Sequence, residues 1–356
     1  MRNLNIAIRS LFKKGRHNVM KIISLSVGLS VALVMIAKIY FEQSYDTFYP
    51  DADRIYRIYE NYSMNGKEED YYQVSGAVAP AMRSEIPGVE DATRLTYIGG
   101  DNTLFTTPDK QRYSARYIMM ADSNVFDIFP VPILSGNPKV VLAKPWYAMI
   151  SRSLAEKIRE GNSLESVIGK TLSVDRKEPM SIRGVFEDMG ENADIHFDVV
   201  VPMSKLWNLA RGGWGYDISY MSIIRFRDPA KDIKAVEARI PDMLKKYMAD
   251  SSNKKKSHRF SFRPLLEYHT ADPTVRLMIL MMSVLGIAIL LIAAFDYVLI
   301  AVSSLARRAK SIGVHKCCGA TDNSIFRMFL TETALVLFIS VLLTMLLIFQ
   351  FREFVE

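Results

Sequence analysis

Cysteine is almost missing from this chain: two in 356 residues, adjacent at Cys317 and Cys318. The long polar stretch from Glu42 to Arg276 has none, so no disulfide framework can hold it together. Two neighbouring thiols without further ligands nearby do not make a metal site; they read as small residues of a reducing compartment. Histidine is scarce as well. His196, His258 and His269 stand apart, with no HxxxH or HExxH spacing to gather a metal. No GxSxG nucleophile elbow occurs. Gly169-Lys170-Thr171 ends like a phosphate-binding loop, but Leu164 stands where that motif needs its first glycine. The sequence therefore offers no catalytic, cofactor-binding or metal-ligating residues.

A second absence is more informative. Residues 1–41 contain no Asp or Glu. They hold Arg2, Arg9, Lys13, Lys14, Arg16 and Lys21 beside an apolar run, Ile22–Phe41. Two more apolar runs, Leu277–Val302 and Ala334–Phe351, close the chain. Each has roughly the 18–20 residues needed to cross about 30 Å of hydrocarbon. Between the last two lies SSLARRAKSIGVHKCCGAT (Ser303–Thr321), with Arg307, Arg308, Lys310 and Lys316 and no acid before Asp322. The net charge of +7 thus gathers beside apolar runs, the pattern of membrane topology and not of a nucleic-acid-binding face.

The positive-inside rule then orders the chain. Residues 1–21 form a cytoplasmic segment, whose Asn3–His17 has the apolar stripe of an amphipathic helix (Leu4, Ile8, Leu11, Phe12). Residues 22–41 are the first span, too long and without a small-x-small cleavage site to be a removed signal peptide. Residues 42–273 lie outside, 274–302 cross back, 303–332 are cytoplasmic, and 333–351 form a third span. Residues 352–356 are left outside, with no fourth span.

The outer segment reads as α+β. Arg54–Ser63 and Asp70–Ser75 are strands around the Asn65-Gly66 turn signal. Ala79–Ile86 is a helix stopped by Pro87-Gly88, and Val89–Ile98 a strand. A similar unit follows late: strand Tyr220–Phe226, helix Ala230–Ala249, strand Arg259–Leu265. Residues 113–215 between them read as an inserted, β-rich subdomain. Within it Ala148–Arg159 is expected to be helical, and Thr171–Val174 and Ser181–Val185 are strands around the turn Arg176–Pro179.

Two acids, Asp296 and Glu332, border the later spans at one depth, about 20 residues of 1.5 Å beyond Arg276 for the first. Buried acids in a membrane are costly and commonly functional. The alternative is that both sit among headgroups, paired with Arg307, Arg308 or Arg327. A proton relay would need acids nearer the midplane.

Four stretches resemble the FtsX/MacB family of ABC transporter permeases. They are AKIYFEQSYDTFYPDADRIYRI at Ala37–Ile58, Tyr117–Pro138 with its ADSNVFDIFPVPILSGNP, IGKTLSV with GVFEDMGENADIHFDVVVP between Val167 and Pro202, and RAKSIGVHKCCGA at Arg308–Ala320. The resemblance implies a helical membrane protein of the bacterial inner membrane with a large α+β periplasmic domain. Its outer α/β units would be the Porter part and residues 113–215 the Sabre part. It further implies a non-enzymatic subunit that pairs with a second permease copy or half and sits on a cytoplasmic ABC ATPase. A periplasmic adaptor and an outer-membrane channel are possible partners. ATP would bind the partner ATPase and this chain would hold no cofactor, and closure of that ATPase would move the periplasmic domain, driving export or efflux by mechanotransmission. The residues carried over as the ATPase-coupling set are Arg307, Arg308, Lys310, Ile312, Gly313, His315, Lys316 and Gly319. Ser311 and His315 depart from the family's Glu and Arg at those positions, which bears on docking strength. Ending after a third span, the chain is expected to be a truncated product or the first part of a longer permease. A membrane-anchored sensor or adaptor, or a scaffold acting on cell-wall enzymes, is the alternative.

Overall fold

The computed structural model describes residues 18–64, 67–98, 103–107, 111–159, 161, 163–174, 177–205, 214, 220–248 and 257–351. The expected amphipathic helix at Asn3–His17 lies outside them. The chain divides into two compact units: the described residues of Met1–Gln43 with Asp272–Glu356, and Ser44–Ala271.

The first unit is three helices, α1 (Asn18–Gln43), α8 (Pro273–Cys317) and α9 (Asp322–Gln350). Each is long and apolar enough to cross a membrane, as the three runs predict. Their ends obey local chemistry. The Asp272 side chain accepts from the Thr274 amide at 2.7 Å and Pro273 takes the first helical position, so α8 starts with a satisfied donor and a pre-set φ. Its 45 residues make a rod of about 67 Å at 1.5 Å per residue, longer than a hydrocarbon core is thick. Gly319 ends it at φ +85, the left-handed geometry that favours glycine, and Thr321 caps α9 by accepting from Ser324 N–H at 3.3 Å. The basic stretch is therefore the last turns of α8 followed by a tight turn, and no separate segment.

Within this unit α1 packs on both partners through small and hydroxylic residues. A Cβ on Gly28 would stand 2.5 Å from the Ala293 Cβ of α8. On the other side Ser26 Oγ donates to the Ser340 carbonyl at 3.1 Å, and Thr344 Oγ1 donates to the Ser26 carbonyl at 3.2 Å. In lipid, where apolar contact between helices gains little over contact with tails, such close approach and hydroxyl bonds are what favour association.

The second unit is built on one sheet. In chain order its strands are β1 (Ile55–Met64), β2 (Lys67–Tyr71), β3 (Val89–Tyr97), β4 (Thr103–Thr106), β5 (Arg112–Ala115), β6 (Ile118–Ala121), β7 (Ile133–Ser135), β8 (Tyr147–Ser151), β9 (Thr171–Val174), β10 (Lys177–Phe186), β11 (Val199–Pro202), β12 (Met221–Phe226) and β13 (Ser257–Pro264). Their order across the sheet is β13-β1-β12-β3-β6-β11-β8-β10-β9-β4-β5, with β2 on β1 and β7 on β10. Only β6–β11 and β8–β10 pair in parallel among the described strands. Helices α2 (Val78–Glu85), α3 (Val125–Ile128), α4 (Pro138–Val141), α5 (Arg152–Arg159), α6 (Pro229–Met248) and α7 (Leu265–Ala271) complete it.

Central strands are apolar on both sides. In β6, Met119 and Ala121 enter one core and Ile118 and Met120 another; β11 splits Val200 from Val199 and Val201 in the same way. Alternate residues face opposite ways along a strand, so an unbroken apolar run marks burial on both faces. The rings of Phe126, Phe186 and Phe197 meet at 5.3–5.8 Å in the first core. A third core packs Val78 and Met82 of α2 and Val236 and Ile240 of α6 against Ile58, Ile224 and Phe226. Gly136, the glycine of LSGNP, has φ +83, and a Cβ there would meet the Arg183 carbonyl at 2.4 Å.

Both early and late strand–helix–strand units form. β1 and β2 pair with Met64 opposite Lys67, as a hairpin requires, although residues 65–66 themselves lie outside the described set. Three readings need correction. Residues 147–151 are strand β8, and the helix begins only at Arg152. The run YAMIS is helix-compatible in isolation, but it is enclosed by β10 and β11, and burial on both faces overrides propensity. Pro179 is inside β10 opposite Ser173, at a bulge, and is not part of a turn. Beyond Tyr71 no strand continues; Val74 makes one bridge to Tyr220. The expected insert is also drawn differently. Strands of residues 113–215 continue the same sheet, and β4, which precedes that range, joins its far end through β9.

Replacing Gly28 by Leu should separate α1 from α8 and cost about 1–3 kcal/mol, the usual range for overpacking. Thermal unfolding of the purified chain in detergent would register a lower midpoint, and Gly28→Ser should be milder.

Candidate functional site

Three places gather chemistry. The first is the basic end of α8. Arg307, Arg308, Lys310, Ile312, Gly313, His315 and Lys316 all lie on its last turns, and Gly319 in the turn that follows. The side chains of Arg307, Arg308, Lys310 and His315 are outside the described ones. Lys316 Nζ pairs with Asp322 at 2.8 Å across the turn, tying the start of α9 to the end of α8. Gly313 and Val314 are exposed, Ile312 half-buried, and Cys317 and Cys318 exposed as free thiols.

The second is a polar cluster among the three apolar helices. Glu332 is 7% exposed. Asn18 Nδ2 donates to its Oε1 at 3.4 Å, and Lys21 Nζ donates to Asn18 Oδ1 at 3.5 Å. The Lys21 ammonium lies 5.8 Å from the Tyr297 ring centroid, and Tyr297 OH reaches Thr333 Oγ1 at 3.1 Å. Lys21, Tyr297, Glu332 and Thr333 line a cavity of about 360 Å³. Asp296 is exposed and accepts from Ser24 Oγ at 3.4 Å. Sequence reasoning named both acids but looked for their partners among Arg307, Arg308 and Arg327. The described partners are Asn18 and Ser24 on α1, a helix whose facing residues no sequence spacing could align.

The third place was missed by sequence reasoning. It ties together the chain just after α1, the loop before β11, and α7 just before α8. Asp46 is 1% exposed and is the one non-glycine residue with positive φ (59°) among those described, a conformation that Asp tolerates better than most side chains. Its amide donates to the Asn192 carbonyl at 2.9 Å, and its Oδ1 accepts from the Asp194 amide at 3.1 Å. Asn192 Nδ2 donates to the Ser44 carbonyl at 2.8 Å. Asp194 Oδ1 stands 3.4 Å from His269 Nδ1 on α7, and the His269 ring stacks on Tyr45 with centroids 3.4 Å apart. Above this group the buried Arg57 guanidinium lies 4.4 Å from the Tyr268 ring and 4.9 Å from that of Tyr72.

Electrostatics set this third group apart. Burial pushes the Asp46 carboxyl up to about 7, with the Asp194 charge adding to the rise and the Asp194 amide opposing it. Burial also raises Asp194, against the pull of His269 and Arg57. The Tyr49 hydroxyl, buried beside Asp46, is raised well above its ordinary value for the same two reasons, desolvation and the neighbouring carboxylate. Oδ2 of Asp46 and the Tyr49 hydroxyl have no hydrogen-bond partner among the described residues. The one legible signal was the YDTFY and GENADIH strings themselves, which sequence reasoning quoted without assigning a contact between them.

Among the described residues no group of His, Cys, Asp and Glu is placed to hold a metal ion.

An acid whose folded value lies above its ordinary one stabilises the fold at low pH and loses that contribution as pH rises through the folded value. The unfolding midpoint of the chain should therefore fall as pH rises from the ordinary carboxylate value of 3.8 to about 7, and level off above it, as the Asp46 contribution is lost. Asp46→Asn keeps the acceptor and the left-handed backbone, and should flatten the profile in calorimetry or dye-monitored melting. An unchanged slope would count against the assignment.

With this geometry in place, comparison with known proteins adds three findings. Residues 283–355 match the model of the FtsX-like permease C-terminal family. The crystal structure of a domain from Porphyromonas gingivalis, assigned to a permease, is similar at 28% identity and a TM-score of 0.54, over 61% of this chain and 91% of that one. The periplasmic region of MacB from Actinobacillus actinomycetemcomitans aligns over 63% of this chain and 94% of that one, at 15% identity and a TM-score of 0.43. No curated protein matches the chain.

Proposed function

Taking as premise that this is an FtsX/MacB-like permease of the ABC transporter class, we propose that it passes ATP-driven movement from a cytoplasmic ATPase to its outer domain. On this reading the N-terminus and the α8–α9 turn are cytoplasmic and residues 44–271 periplasmic. ATP is bound and hydrolysed on the partner chain, and substrate is acted on outside the bilayer for export or efflux.

The observation that supports it best is α8. One unbroken helix runs from the edge of the outer domain at Pro273 to the basic turns ending at Cys317. A continuous helix delivers a displacement at one end to the other, because bending it sharply needs a proline, a bulge or an inserted group, and its interior has no proline. Rim charges of the kind at Arg307, Arg308, Lys310 and Lys316 steer and orient a partner more than they bind it. Ile312, Gly313 and Gly319 supply the apolar and close-approach part of the same surface. His315, and Ser311 beside it, would tune its strength. Three-helix packing leaves apolar faces on α8 and α9 broad enough for a second permease copy or half as well as for lipid. An adaptor and an outer-membrane channel would complete an export pathway.

The alternative, a membrane-anchored sensor or a scaffold for cell-wall enzymes, also places a folded domain outside. It gives the Arg308–Ala320 stretch no partner.

The test is recovery from native membranes in mild detergent. An ATPase should co-purify with the wild-type chain and be reduced at least about tenfold by Arg307→Glu/Arg308→Glu/Lys310→Glu, given that like-charge juxtaposition costs several kcal/mol at an interface. No ATPase with either protein would remove this reading and favour the sensor or scaffold.

A further inference from the structure

We propose, resting on the permease reading above, that Asp46, Asn192, Asp194 and His269 are positioning residues of the transmission step: they clasp the two chain ends that enter the spans to one another and to the loop leading into β11.

The outer domain is joined to the membrane helices by two covalent links only, Gln43–Ser44 and Ala271–Asp272. Movement of the helices is carried into the domain at those links. Asp46 lies three residues past α1, and His269 lies two residues before the end of α7. Left to themselves, two such ends would move independently, and the sheet would be twisted rather than displaced. The contacts prevent this by closing a ring. Ser44 and Asp46 are bonded to Asn192 and Asp194, Asp194 is paired with His269, and His269 is stacked back on Tyr45. From Asp198 the chain continues into β11, which lies inside the sheet between β6 and β8. The clasp thus connects both ends to the middle of the sheet and not to its margin.

A purely structural loop would use neutral groups here. Burying a second carboxylate beside Asp194 is costly unless its bonds are needed. The groups facing Asp46 and Asp194 come from every element around them: Tyr49 on its own segment, Arg57 and Tyr59 on β1, Tyr97 on β3, His196 on the same loop as Asp194, and Tyr268 and His269 on α7. Asp46 and Asp194, both raised by burial, leave the ring's strength dependent on how many protons it holds. Engagement is therefore expected to be cooperative across the three segments and to change with pH as one unit.

Amide hydrogen exchange on the full chain in lipid nanodiscs reads this directly, with β11 as the reporter of an intact fold. Asn192→Ala should raise exchange in residues 44–49, 190–196 and 265–271 together by about tenfold, the scale of one lost buried hydrogen bond, while 199–202 stay protected. An increase confined to 190–196 would overturn the proposal. If Asn192→Ala unfolds β11, His269→Phe is the second variant; it keeps the ring on Tyr45, removes Nδ1, and should still open 44–49. In the wild type all three segments should lose protection together as pH rises toward about 7, after correction for intrinsic rates, and level off above it, and in Asp46→Asn the loss should be smaller; independent pH responses would again overturn it. In the complex recovered with its ATPase, Asn192→Ala should keep ATP hydrolysis but lose the ATP-dependent change in exchange of the outer domain. If no ATPase is recovered, the permease reading fails, and the nucleotide-free exchange still decides whether the clasp exists.

Discussion

A folded domain whose two ends both enter a bilayer must hold those ends, and here a buried carboxylate does so. Asp46 accepts from the Asp194 amide and donates its own amide to the Asn192 carbonyl, with its backbone in the left-handed region. Its side chain has left water entirely, and the desolvation is offset by the bonds it fixes and by the proton it retains below neutral pH. Everything outside the membrane builds on that anchorage: β1 starts six residues beyond Tyr49, and Tyr49 itself packs edge-on against Phe129 in the first core. The same few residues are thus the foot of the domain and the border of its core.

Inside the three-helix unit a different constraint rules. Backbone groups there have no water to turn to, so each span must be a helix satisfied from within. Association then rests on what side chains can add at close range. Gly28 lets α1 and α8 approach, and serine and threonine hydroxyls bond carbonyls between α1 and α9. The charged side chains Lys21 and Glu332 are drawn into a polar group shared with Asn18, Tyr297 and Thr333, whereas Asp296 stays exposed beside Ser24.

The sequence was readable wherever the signal was local. Three apolar runs gave three helices, alternation gave β1, β3, β12 and β13, and Asn65-Gly66 fell between paired strands. It was not readable where neighbours in space are far apart in the chain. β8 looked helical because nothing in YAMIS reveals that β10 and β11 enclose it. The range 113–215 looked like an insert because its strands are short, yet antiparallel pairing of β3 with β6 and of β4 with β9 merges it into the main sheet. The clasp joins residues 148 apart between Asp46 and Asp194 and 75 apart between Asp194 and His269. Asp, Asn and His in loops are ordinary there, and only burial makes them unusual. At the basic end of α8 the residues were legible by type, whereas their being helical up to Cys317 depended on the glycine and threonine that close the turn.

That turn has a practical side. The whole chain holds two thiols, and both stand exposed in it, one at the last helical residue of α8 and one just beyond. The native protein therefore carries its own chemical reporter at the point where an ATPase would press. A membrane-impermeant maleimide distinguishes the two faces of a sealed vesicle without a single engineered residue, and shielding of the same pair marks when that surface is covered.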